Sequence, residues 1–210
     1  MILGVTAFYV LVIFLLKDLG NIEKFITLLI FNEPTMVGFL FIGLAIILEK
    51  DQEVFSALFV TPINHHYYLI SKVFVLSGIS MICAFGMVLT AKGMSFNIAH
   101  FAIGAFSSCV LFSFVGIYIV SYTQDILHFI LRSIPVVILM GLPFLNYYGF
   151  TDLGIFKLFP VQGSLHLISN SYSISPNIQD VVFGYASILI WTPLLYWVAH
   201  RTFMSRLVNA

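Results

Sequence analysis

Charged residues are scarce in this sequence. Asp, Glu, Lys and Arg make up 9% of its 210 residues, whereas 60% are hydrophobic. Soluble proteins carry about 25% charged residues, so this chain has too little polar surface to cover a soluble globule. The composition therefore predicts a membrane protein. Because a chain in lipid must satisfy its own backbone hydrogen bonds, it also predicts an all-α fold.

Other classes of function are excluded by further absences. The formal net charge is zero and the nine Lys and Arg residues are scattered, so no basic stripe is available for a nucleic-acid partner. Both cysteines, Cys83 and Cys109, lie inside apolar runs and are expected to be ordinary buried residues. The sequence contains no G-x-x-x-x-G-K-[ST] loop for binding phosphates, so any ATP must be hydrolysed by another polypeptide.

The histidines do not predict a metal centre. His65 and His66 are adjacent and point to different helix faces, so they cannot share a metal as an i, i+4 pair could. His100, His166 and His200 are isolated in the sequence. No set of nucleophile, base and orienting residue can be proposed either. We therefore expect no metal, no cofactor and no enzymatic activity.

Apolar runs predict about six transmembrane helices, since crossing about 30 Å of hydrocarbon takes roughly 20 helical residues. The predicted spans are approximately 1–16, 26–48, 67–91, 98–121, 130–149 and 178–200. Pro34 suits a first helical turn, so Asn32 and Glu33 are interpreted as an interfacial helix start. The chain is expected to form one domain, residues 1–210.

The first run is expected to be a retained span. It has no basic region before it and no A-x-A-like cleavage site after it, which a secretory signal would need. It begins abruptly, so we expect either an upstream extension of the natural chain or a late or trimmed start.

Six spans place both termini on the same side of the membrane. The positive-inside rule assigns that side to the cytoplasm, because it then holds Lys50, Lys72 and every arginine, Arg132, Arg201 and Arg206. The predicted location is the cell membrane, with multiple spans.

The segment before the last span is too apolar for a solvated loop. Residues 153–169, LGIFKLFPVQGSLHLIS, are interrupted at Pro160 and Gly163. A re-entrant segment at approximately 153–170 fits better than a seventh span, because irregular backbone at depth is tolerated where protein buries it.

A charged amphipathic segment interrupts the apolar pattern at residues 49–62. Glu49, Lys50, Asp51 and Glu53 open a predicted helix at approximately 49–60, and Thr61-Pro62 ends it. An interfacial helix resting on lipid is the simpler alternative. Its acidic face disfavours that alternative, because anionic lipids attract basic faces.

This stretch resembles a known family. The order E-K-D-Q-E, then V-F-S-A-L-F-V-T-P-I, then Y-Y-L-I-S-K is similar to the connection between the second and third spans of ABC-2 type transporter permeases, and specifically of the fluoroquinolone-export permeases. The family's six spans and re-entrant extracellular segment agree with the predicted layout. Its members usually carry a cytoplasmic amphipathic helix before the first span, which this sequence lacks.

The resemblance implies a coupling helix that docks on a separate ATPase subunit, with a second permease subunit, identical or different, completing the transporter in the lipid bilayer. It implies export of an amphipathic substrate, which could be a drug, a lipid or a peptide. The implied coupling residues are Glu49, Lys50, Asp51, Glu53, Val54, Phe55, Leu58, Phe59, Thr61 and Pro62.

The alternative is a membrane protein of another class, either a secondary carrier or a scaffold with an interfacial helix. A proton-coupled carrier needs a carboxylate within a span, and the four most evident spans have none. Asp125 and His128 lie three residues apart near a predicted membrane boundary, where a capping pair is expected rather than a proton relay.

Overall fold

The computed structural model describes residues 2–16, 23–54, 65–149, 154–173 and 177–208. Within these ranges every regular element is a helix, which confirms the all-α prediction. The α-helices are α1 (Ile2–Leu16), α2 (Glu23–Met36), α3 (Ile42–Asp51), α4 (His65–Lys92), α5 (Ile98–Val120), α6 (Ile126–Gly141), α7 (Pro143–Tyr148), α8 (Pro160–Ser171) and α9 (Ile178–Phe203). Two π-helical segments, Val37–Phe41 and Met204–Val208, and one 3-10 helix, Gly154–Leu158, adjoin them.

Five helical segments in the described part of the chain are long and apolar enough to cross a membrane. They are Lys24–Asp51, His65–Lys92, Ile98–Val120, Ile126–Tyr148 and Ile178–Leu207. The helix α1 is apolar but shorter. The chain is therefore a polytopic, all-α membrane protein.

The interpretation of Asn32 and Glu33 as an interfacial helix start was wrong. Helix α2 begins at Glu23, Pro34 lies in its interior, and the π-helical segment Val37–Phe41 joins it directly to α3. The side chain of Glu33 is 1% exposed. In lipid the backbone must keep its hydrogen bonds, so a helix continues through a proline that would end it in water.

Helix α5 forms the centre of the bundle. Nearly all of its side chains from Gly104 to Val120 are buried, and many are small. Small residues allow the backbones of neighbouring helices to approach closely. The resulting van der Waals contacts hold helices together in lipid, where the hydrophobic effect does not. A Cβ at Gly38 would lie 2.3 Å from the carbonyl oxygen of Cys109, so the π-helical segment is in direct backbone contact with α5.

Helix α8 begins deep within the bundle. Its 12 residues reach only about 18 Å, too short to cross the hydrocarbon. Its first turn lies beside Leu111 and Val115 in the middle of α5, and its last residue, Ser171, accepts a hydrogen bond of 2.7 Å from the backbone N–H of Asn97 before α5. Helix α8 therefore runs antiparallel to α5 from mid-depth to one end.

Glycines fix the packing of α8 against α9. A Cβ at Gly163 would lie 2.8 Å from Cβ of Ser187, and one at Gly184 would lie 3.0 Å from the carbonyl oxygen of Gly163. Because neither position has room for a side chain, the two backbones are in contact.

Candidate functional site

The charged segment occupies the end of α3. Glu49, Lys50 and Asp51 form the last turn of that helix, and Gln52 is its C-cap. Glu53 has a φ of 55°, which turns the chain away from the helix axis, and residues 51–54 are exposed. We call residues 49–54 the charged turn. The remaining predicted coupling residues, Phe55, Leu58, Phe59, Thr61 and Pro62, lie outside the described residues.

Glu49 joins the ends of two helices. Its Oε2 accepts hydrogen bonds from the hydroxyl of Tyr68 and from Nζ of Lys72, both in α4. The Lys72 ammonium also lies 4.6 Å from the centroid of the Tyr68 ring. Partial burial of this pair strengthens its attraction, because less water screens the charges. We call Glu49, Tyr68 and Lys72 the Glu49 network.

Further contacts tie the charged turn to the other helices. Nζ of Lys50 donates to the backbone oxygen of Thr123, just beyond α5, at 3.4 Å. The ring of Tyr68 stacks on that of Phe203 in α9, with centroids 6.0 Å apart. A displacement of the charged turn would therefore act on α3, α4, α5 and α9 together.

A histidine pair lies at the same end of the bundle. The rings of His66 in α4 and His200 in α9 are stacked with centroids 3.8 Å apart, and Nδ1 of His66 is 2.5 Å from the hydroxyl of Tyr196. Packing therefore brings His200 next to His66, although His200 is isolated in the sequence. Among the described residues, no three His, Cys, Asp or Glu side chains are placed to hold a metal ion.

Asp125 and His128 form the expected capping pair. Asp125 is the N-cap of α6, and its carboxylate accepts a 2.8 Å hydrogen bond from the backbone N–H of His128. That bond lowers the pKa of Asp125, and the His128 side chain, 2.8 Å away, lowers it further. The pair fixes the start of α6 and is exposed, which suits a cap rather than a proton relay.

Two large grooves adjoin the bundle. The first, of about 630 Å³, is almost entirely apolar and runs between α4, α5 and α9, with Phe106, Ser107 and Thr192 among its lining residues. The second, of about 650 Å³, lies at the end opposite the charged turn and is partly polar, with Lys24, Lys92 and Tyr172 in its wall.

Helices of this length and polarity, grouped around α5, define a multi-pass membrane protein with a charged turn at one end. The chain belongs to the fluoroquinolones export permease protein family, whose model matches residues 2–210. It is therefore a multi-pass membrane protein of that family.

Two curated relatives are both fluoroquinolones export permease proteins of Mycobacterium tuberculosis, from strains CDC 1551 / Oshkosh and ATCC 25618 / H37Rv. Each is 26% identical to this chain over 145 residues, which cover 67% of this chain and 60% of the relative. The match thus spans less than two thirds of the relatives' length. No solved structure matches the chain.

Sequence reasoning missed several residues around the charged turn, including Tyr68, Thr123 and His200. Glu49 and Lys72 are 23 residues apart, and Lys50 and Thr123 are 73 residues apart. Helical spacing predicts contacts only between residues three or four positions apart, so it could not predict these pairs.

Proposed function

We propose that this chain is the transmembrane subunit of an ABC-2 type exporter, and that ATP hydrolysis on a separate subunit drives it. The chain would act with a second permease subunit, identical or different, in the cell membrane, with both termini in the cytoplasm. The proposal depends mainly on one observation. The charged turn is exposed on its outer side, and on its inner side it is bonded to α4 and to the end of α5.

This arrangement suits transmission of movement. An ATPase that moves the predicted coupling segment, residues 49–62, would displace the Glu49 network. Because this network joins α3 to α4, both helices would shift relative to α5. Packed helices respond to such a load by moving between discrete arrangements rather than by bending continuously. The exposed carboxylates Asp51 and Glu53 would set register and partner choice, and Phe55, Leu58 and Phe59 would supply buried anchors.

The substrate is proposed to be amphipathic. The apolar groove between α4, α5 and α9 offers the hydroxyls of Ser107 and Thr192 in an otherwise apolar wall. Such a surface suits a largely apolar molecule with a few polar groups. Of the three classes considered, drug, lipid and peptide, the names of the relatives favour a drug.

The test is to co-express the chain with a candidate ATP-binding subunit, and to measure co-purification and ATP turnover at equal membrane expression. We expect no ATP turnover from the purified chain alone. Phe55→Ala or Leu58→Ala should weaken partner binding by about 2 kcal/mol, roughly thirtyfold, because each removes a buried anchor. Asp51→Lys and Glu53→Lys should weaken it less and mainly slow association.

Ile82→Ala is the matched control, because Ile82 is an exposed apolar residue of α4 far from the charged turn. It should leave both measurements unchanged. Full partner binding and turnover by all four coupling variants would contradict the coupling role. Robust ATP turnover by the chain alone would contradict the permease proposal, and transport that needs a proton gradient but no ATPase would favour the secondary-carrier alternative.

A further inference from the structure

Glu33 lies deep in the membrane-spanning part of the protein. It is nine residues after Lys24 in the span Lys24–Asp51, which is about 14 Å along the helix axis. That distance is close to half of the roughly 30 Å hydrocarbon thickness. Its side chain is 1% exposed. An ionisable residue at such a depth is rare, and it usually has a function.

In the described part of the chain, the surroundings of Glu33 are polar but carry no positive charge. Its carboxyl group faces Thr6 of α1 and Ser80 and Cys83 of α4, and Cys109 of α5 lies close by. Among the described residues the titratable groups that face it are the two thiols, which are neutral or negative and never cationic. An ionised Glu33 would therefore be an unpaired charge in a low-dielectric interior, which is strongly unfavourable.

The hydrogen-bond geometry also fits a neutral acid. Oγ1 of Thr6 is 3.1 Å from the backbone oxygen of Ile2 and 3.4 Å from Oε1 of Glu33. A hydroxyl has one hydrogen, and the carbonyl oxygen of Ile2 has none. Thr6 can give its one hydrogen either to Ile2 or to Glu33, and a proton carried by Glu33 would let Thr6 donate to Ile2 while accepting from Glu33.

The second carboxyl oxygen completes this scheme. Oε2 of Glu33 accepts from the hydroxyl of Ser80 at 3.3 Å. A protonated Glu33 could therefore accept from Ser80 at Oε2 and donate from Oε1 whenever Thr6 donates to Ile2, which would leave both carboxyl oxygens paired.

We infer that Glu33 is a proton-binding site in the membrane interior, and that the bound proton holds α1 and α4 against α2. Release of the proton breaks the O–H bond at Oε1, transfers the proton to water and leaves a carboxylate that needs water or a cation. Because protein fills the space around Glu33, release requires α1 or α4 to move. The site does not depend on the proposed ATPase coupling.

A bound metal or organic cation is the competing occupant. The carboxyl group is enclosed, and its oxygens lie within hydrogen-bond distance of hydroxyls on two helices. This space fits a proton rather than a larger ion.

The test is infrared spectroscopy of the purified chain in lipid bilayers, from acidic to alkaline pH. At neutral pH we expect the carbonyl stretch of a protonated carboxylic acid, which should be lost completely in Glu33→Gln. The control Glu53→Gln removes an exposed carboxylate and should leave the band unchanged. Absence of the band at neutral pH in the wild-type chain, or its persistence in Glu33→Gln, would overturn the inference.

Resistance to thermal unfolding supplies a second readout. Raising the pH removes the proton and leaves an unpaired charge in the folded state, so the unfolding midpoint of the wild-type chain should fall. The side chain at position 33 of Glu33→Gln stays neutral at every pH, so this fall in the unfolding midpoint should be absent from that variant. If Glu33→Gln does not fold, Glu33→Asp should retain the infrared band with a changed pH dependence. Equal pH responses of wild type and Glu33→Gln, or stabilisation by sodium or potassium without the infrared band, would overturn the proton site.

Discussion

Glu49 and Asp51 are suited to different roles at the end of a span. The sequence suggests a charge that faces a partner, whereas in the structure its carboxylate bonds to Tyr68 and Lys72. Asp51, two residues later, is exposed. Glu49 is therefore better suited to holding the charged turn in place, and Asp51 to meeting another protein.

The first prediction at this scale concerns the Glu49 network. Glu49→Gln leaves the partly buried Lys72 ammonium without its counter-charge, so we expect a loss of about 1.5–3 kcal/mol in the free energy of unfolding. Lys72→Met should cost a similar amount, and the double variant should cost less than the sum because the two residues interact. Unfolding by SDS titration in mixed micelles measures each value.

Asp51→Asn is the matched control for that experiment, since it neutralises an exposed carboxylate two residues away. It should change the free energy of unfolding by less than about 0.5 kcal/mol. A Glu49→Gln effect no larger than the control would mean that the network does not hold α3 to α4.

Among the elements, the long helices could be predicted from the sequence because lipid imposes a length and forbids unpaired charge. The helix α5 (Ile98–Val120) lies inside the uncharged run 93–124. Glu33 could not be placed in the same way. The local preference of Pro34 for a first helical turn was overridden by the need for continuous backbone hydrogen bonding. No local sequence pattern predicts that Thr6 and Ser80 contact the carboxyl group of Glu33.

The second prediction tests the backbone contact between the π-helical segment and α5. Gly38→Ala places a Cβ 2.3 Å from the backbone oxygen of Cys109, so the helices must separate. We expect a loss of about 1–3 kcal/mol in the free energy of unfolding, the usual cost of overpacking. The SDS titration used for Glu49 also measures this change.

Gly78→Ala provides the comparison for Gly38→Ala. Gly78 also lies in a membrane-spanning helix, but a Cβ there meets no atom within 4 Å. Because alanine favours helix by about 1 kcal/mol over glycine, this variant should be neutral or slightly stabilising. Equal destabilisation by both variants would show that helix propensity, not close packing, determines the result.

For the whole molecule, composition alone was enough to predict a polytopic, all-α protein, because so few charged residues leave no soluble alternative. The packing of the other helices around α5 could not be predicted from the sequence. It depends on contacts between residues far apart in the sequence, such as Ser107 with Ser164, whose hydroxyl oxygens are 3.2 Å apart. The coupling residues and the orientation in the membrane stay predictions.

Orientation gives the third prediction. Lys50, Lys72, Arg132 and Arg206 lie at the same end of the bundle as the charged turn, which the positive-inside rule assigns to the cytoplasm. In a background without Cys83 and Cys109, Met94→Cys should react with an impermeant maleimide added to intact cells. Asp51→Cys should react only after permeabilisation. Both positions are exposed, so accessibility to the reagent differs only by side.

The opposite labelling pattern would reverse the orientation, and labelling of both positions in intact cells would show a leaky or mixed preparation. Ala substitutions at Cys83 and Cys109 suit the background, because both thiols are buried and neither forms a disulfide. Expression and helix content of that background should be measured first.

The depth of α8 has a consequence for biosynthesis. A segment of 12 residues containing Gln162, Ser164, His166 and Asn170 is too short and too polar to enter lipid on its own during translation. It can be accepted only after α9, the following helix, has been made and inserted beside α5, since those two helices bury it. Insertion of the last span is therefore also the step that completes the interior of the protein.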